Sequence, residues 1–168
     1  MSNKLVLLMY ESWSQVDRAL DGLALEEATT HRHGGSGIAW TLGHVTQMVD
    51  SFINVRFQRL QPHPFISNPN FRAGGNGDEK DWQKVLASVE EVRESARRFL
   101  NSDQGMDLDR RVPYDGSIGF LRPVGLSLGY AVMRLAAHHF MHAGEILTIR
   151  SLLGHTLHEA PEWGEAFL

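Results

Sequence analysis

VGLSLGYAVMRLAAHHFMHAGEILTIRSLLG, residues 124–154, reads as one long helix. Pro123 precedes it, and proline suits a first helical position because its fixed φ matches and its missing N–H would be unpaired there anyway. Gly154 supplies a C-terminal stop. Taking every third or fourth position gives an inward row of Val124, Leu128, Ala131, Leu135, His138, His142, Glu145 and Ile149. Two histidines and a glutamate thus share a stripe with core residues. A cysteine-free domain that places imidazoles there either satisfies them internally or uses them as ligands.

Three further segments carry the same period. In the first, Leu5, Leu8, Met9, Ser12, Trp13, Val16, Ala19, Leu20 and Leu23 form a stripe, with Glu11, Gln15 and Arg18 on the outer face. The glycine-rich THRHGGSGI, residues 30–38, breaks the pattern, and Ser36 is expected to cap the helix that follows. That helix is predicted over about residues 37–60, with His44 leaning inward beside Thr41, Met48, Phe52 and Val55. The third starts near Asp78 and buries Trp82, Val85, Leu86, Val89, Val92, Ala96, Phe99 and Leu100. Glu90, Glu91, Arg93, Glu94, Arg97 and Arg98 are expected on its solvated face.

Between these lie two long connections. The Pro/Asn/Gly-rich segment from Gln61 to Gly77 is a candidate lid or a surface loop. RRVPYDGSIGFLRP, residues 110–123, suggests a short hairpin around Asp115-Gly116. Four amphipathic helices with long second and third connections read as an all-α four-helix bundle, a single domain over residues 1–168.

Composition narrows the function. The net charge of −4 and the lack of any Lys/Arg block argue against a nucleic-acid partner. No run approaches the ~20 apolar residues of a membrane span, and the N-terminus lacks a signal-peptide cleavage site, so a cytoplasmic protein is expected. Without cysteine, any metal must be held by His, Asp or Glu.

His138 and His142 are four apart, one turn above each other on a helix, with Cβ atoms about 5–6 Å apart. That spacing suits two imidazoles on one divalent ion, although His139 stands where a zincin helix carries glutamate. His44 is the candidate third ligand, as the remaining histidine on an inward-leaning helical face. His139 points about 100° away and is expected to be structural. His31, His33, His63, His155 and His158 fall in loops or the tail. From spacing alone two readings stand: His44, His138 and His142 as metal ligands, or as core histidines bonded to backbone or carboxylates.

WTLGHVTQMVDSF, residues 40–52, together with HHFMHAGEI, residues 138–146, resembles the DinB-like superfamily of DNA-damage-inducible proteins, with relatives among thiol-dependent transferases and isomerases. The likeness runs through nearly the whole chain in order and length. It implies a four-helix bundle in which His44, His138 and His142 hold a divalent metal, and it implies a homodimer. Of the metals that suit neutral imidazole (zinc, nickel, copper and iron), zinc or nickel is expected. It further implies a metal-dependent enzyme that takes a low-molecular-weight thiol and a small electrophile, as a thiol-dependent S-transferase does. A metal-dependent hydrolase and a non-catalytic, stress-associated metal-binding module are the alternatives. Where the family often has glutamine three residues after its last histidine, this chain has Glu145, a candidate fourth ligand or an acceptor for an imidazole. Tyr114, Asp115 and Arg122 are candidates for the mouth of the site, or simply turn residues.

Overall fold

The computed structural model describes residues 3–31 and 35–156. Four long helical segments carry the fold: α1 (Lys4–Leu20), α3 (Ile38–Val49) with its continuation Asp50–Phe57, α4 (Trp82–Leu100) and α6 (Leu128–Leu152). Short helices α2 (Leu25–Thr29) and α5 (Asp103–Met106) sit in the connections. The chain begins its helices where side chains satisfy the first amides. Asn3 accepts from Leu5 N, Asp81 from Lys84 N and Ser127 from Tyr130 N. Ser36 does not cap α3. Gly37 takes that position, and its own N–H donates to the Gly77 carbonyl.

Helix α1 packs along α6, α6 meets α3, and α3 meets α4. The ring closes where Arg93 of α4 reaches Asp17 of α1 at 2.6 Å and lies over the Trp13 ring. Arg93 is therefore buried, only 6% exposed, and not part of a solvated face. Its aliphatic stem covers apolar surface while its charge finds a carboxylate. Trp13, Trp40 and Trp82 all lie in the core, whereas Trp163, His33 and His158 fall outside the described residues.

Residues 50–57 are a π-helix, wider than the α-helix expected there. Gln58 N donates to Ile53 O, five residues back. A ladder of buried amides and a carboxylate supports it. Asp50 accepts from Asn54 Nδ2 and from His63 N, Asn54 Nδ2 reaches Val92 O, and Gln58 Nε2 reaches Asn54 Oδ1 and Ser95 O. These bonds tie the segment to α4.

Two expectations about the second long connection change. The hairpin around Asp115-Gly116 is replaced by a two-residue antiparallel ladder of β1 (Arg111–Val112) with β2 (Leu126–Ser127), and residues 119–121 form a 3₁₀ turn. Helix α6 starts at Leu128 and not after Pro123, because Gly125 at φ +78° reverses the chain and Ser127 caps the helix. Val124 is consequently exposed. At the other end, Gly154 does follow the helix with φ +90°. Among the described residues no helix is long and apolar enough to cross a membrane.

Candidate metal centre

On α6 the most buried stripe is Leu128, Ala131, Leu135, His139, Ala143 and Ile146. His138 and His142 lie half-buried on its flank, turned towards α3, where His44 is 7% exposed. The three rings meet edge to face, with centroids 5.0 Å apart for His44–His138, 5.3 Å for His44–His142 and 4.6 Å for His138–His142. One ring nitrogen from each lies within 4.8 Å of the others. His138 Nε2 and His142 Nε2 are 3.2 Å apart. Two nitrogens on one tetrahedral ion with bonds of about 2.0–2.1 Å are separated by about 3.3 Å, so this pair is already at ligand spacing.

Other groups orient two of the imidazoles. His44 Nδ1 donates to the Phe71 carbonyl at 2.6 Å, and Trp40 stacks on the His44 ring at 5.0 Å, with 7° between the planes. His142 Nδ1 donates to Glu145 Oε2 at 2.6 Å. Both bonds consume the Nδ1 proton and leave Nε2 as the acceptor atom, which in His142 faces His138 Nε2, the tautomer that metal-binding histidines commonly show. His138 Nδ1 is buried without a hydrogen-bond partner. Burial holds the His138 pKa down to about 3, helped by His142, His44 and Arg134. Burial also pulls His44 below its usual range, against the opposing effect of the Phe71 carbonyl. Imidazoles kept neutral at physiological pH are in the form that can ligate.

Phe71 comes from the Pro/Asn/Gly-rich segment, which is neither loose nor peripheral. Ile66 and Phe71 are fully buried. Asn70 Nδ2 donates to Asp78 O, Asn70 Oδ1 accepts from Asn76 N, and Asn70 O accepts from Trp40 Nε1 at 2.6 Å. The Phe71 ring also lies against Gly43, where a Cβ would come within 2.3 Å of it. The segment is thus fastened to the turn of α3 that carries His44.

The structure brings together His44, His138 and His142, and sets Glu145 behind His142 rather than among the convergent nitrogens. His139 is fully buried, with Nδ1 donating to Leu135 O, which is a structural placement. His63 bonds Ile66 N and Glu91, His155 pairs with Glu27, and His31 with Asp78. Tyr114, Asp115 and Arg122 gather near Arg56, and no hydrogen bond, ion pair or ring contact joins them to the three imidazoles. Trp40 was legible in principle, one turn before His44. The Phe71 carbonyl was not, since a backbone acceptor leaves no mark on residue identity.

The DinB superfamily model matches residues 8–146, which include every residue of this cluster. The chain belongs to the DinB superfamily. No curated protein and no solved structure matches it. Against the DinB pattern its departure at position 145 now has a geometric meaning, because a carboxylate accepts from a neighbouring imidazole more strongly than an amide oxygen does.

Replacing Glu145 by alanine is expected to weaken zinc or nickel binding by about 10- to 100-fold, read by competition with a chromophoric chelator. Glu145→Gln keeps an oxygen at Nδ1 and should lose less. Equal affinities in all three proteins would show that His142 needs no orienting partner.

Proposed function

We propose that this is a metal-dependent enzyme whose ion is held by His44, His138 and His142, and that it joins a low-molecular-weight thiol to a small electrophile. The observation that carries the reading is the convergence of one ring nitrogen from each histidine within 4.8 Å, with His44 and His142 oriented by Nδ1 bonds to Phe71 O and Glu145. A divalent ion in such a site is a Lewis acid that lowers the pKa of a coordinated thiol or water. Zinc and nickel both suit neutral imidazole.

The residues serve this chemistry by position. Three neutral ligands leave the full charge of the ion to act on the substrate, and the Glu145 carboxylate partly offsets it through His142. In the transfer itself a carbon–sulfur bond forms, the bond to the leaving group breaks, and that group departs with the thiol proton. Family membership supports the thiol as co-substrate. An outer stripe of α6 supports a homodimer, because it exposes Met133, Met141 and Leu152.

Protein purified without a histidine tag is expected to carry about one equivalent of zinc or nickel, the stoichiometry of one three-ligand site. Folded His44→Ala and His138→Ala proteins should lose nearly all of it. A loaded parent should then consume thiol together with a chromogenic electrophile. Hydrolysis without thiol would point to water as the nucleophile, and metal without either reaction would make the protein a binding module. A parent that neither contains nor takes up zinc or nickel would leave the three histidines as core residues.

A further inference from the structure

About three helical turns beyond His44, at the end of the π-helix, a cleft of about 620 Å³ is lined by Arg56, Arg59, Arg111 and Arg122, with Tyr114 and Val124 among its walls. We infer that this cleft binds a small organic anion bearing carboxylate or phosphate groups.

Four guanidiniums face one carboxylate there, in a chain whose net charge is −4. Asp115 pairs with Arg56 at 2.7 Å and is itself 90% exposed. Among the described residues, the side-chain hydrogen bonds of Arg111 and Arg122 go to backbone carbonyls, those of Val124 and Gly116, while Arg122 also acts on the charge of Asp115. Arg59 has no side-chain hydrogen bond or ion pair among the described residues. Four arginines with one carboxylate among them give the cleft a positive lining that an anion complements. Guanidinium is also the group best matched to planar, two-oxygen recognition.

Arg59 follows the C-cap of the π-helix in the left-handed region, at φ +62°, a common way for a helix to end, and Leu60 N closes the turn on Asn54 O. That turn brings Arg59 to the edge of the cleft. Val124, which is exposed, gives the cleft an apolar edge for the body of the ligand. The volume lies within the range of small-molecule sites. The ligand class is therefore a compact anion with an apolar face, held apart from the histidine centre.

The full-length protein, as purified, would be titrated by calorimetry at low ionic strength with inorganic pyrophosphate and, separately, with glutarate. Saturable one-site binding with a Kd below about 1 mM is expected for at least one probe, weakening as salt is raised. The probe that binds tells phosphate from carboxylate. Arg122→Gln and Arg59→Gly should each weaken it by about 10-fold or more. Arg59→Gly should at the same time raise the melting temperature by about 2–4 °C, since glycine adopts a positive φ more readily. Asp115→Asn should tighten binding by releasing Arg56. Arg98→Gln, an equal change of charge on the outside of α4, and His138→Ala should leave it unchanged. No saturable binding of either probe up to about 10 mM would overturn the inference. So would equal weakening in Arg98→Gln, or loss in His138→Ala, which would place the anion at the imidazoles.

Discussion

Gly43→Ala is expected to lower both the stability of the fold and its affinity for a divalent metal, through one displaced ring. The added Cβ would lie 2.3 Å from the Phe71 side chain, closer than real contacts allow. Phe71 is fully buried, so the ring cannot swing into solvent and its segment must give. Overpacking of this kind costs about 1–3 kcal/mol. The Phe71 carbonyl moves with its ring and loosens its 2.6 Å bond from His44 Nδ1. Loss of an imidazole's orienting partner weakens metal binding by about 10- to 100-fold. Denaturant unfolding and chelator competition read the two effects separately. A destabilised variant with unchanged metal affinity would show that Phe71 packs the helix without orienting the histidine.

Acid should unfold the metal-free protein through two buried histidines, His138 and, to the same degree, His139. Burial first, then the Arg93 guanidinium, hold the His139 pKa down to about 3, against about 6.5 in the unfolded chain. Between those values the unfolded state binds a proton that the folded state refuses. This group's contribution is therefore fully present above about pH 6.5 and is lost as pH falls towards 3, by about 1.4 kcal/mol per unit once well inside the window, and His138 adds a similar loss. His139 is fully buried, and its Nε2 has no partner ready to receive a proton's charge. The nearby Leu135 carbonyl already accepts from Nδ1. Unfolding free energies measured at pH 7, 6, 5 and 4 with a chelator present should fall steeply for the parent and less steeply for His139→Leu. Parallel slopes would assign acid lability elsewhere.

The bundle itself was readable because each long helix buries a stripe that its own residues declare. Met9, Trp13 and Val16, and again Val85, Val89 and Val92, need no partner to reveal the period. His44 followed from the same logic, since a polar residue on an apolar stripe stands out. The His138–His142 pair followed instead from its four-residue spacing, because the buried stripe of α6 runs through His139 and not through the inward row expected from the sequence. What escaped depends on distant or local backbone facts. Arg93 looks solvated among its charged neighbours, because Asp17 and Trp13, which accommodate it, lie on another helix. Phe52, Ile53 and Phe57 would suit an α-helix equally well, so the π-turn of residues 50–57 depends on bonds that the Asn54 and Gln58 side chains donate to backbone carbonyls of α4. The start of α6 was placed one turn early because Pro123 suits a first turn, yet Gly125 turns the chain away first.

The placement of the three imidazoles on only two helices also bears on how the chain comes apart. Any ion seated among them ties the second long segment to the last, across most of the sequence. In a chain with no cysteine that is a cross-link of the kind a disulfide would otherwise supply. Closing a loop on the order of 100 residues removes about 4–5 kcal/mol of freedom from the unfolded ensemble in the chain-entropy treatment. Loading would then act as a reversible staple between α3 and α6, added to the apolar packing that already joins them.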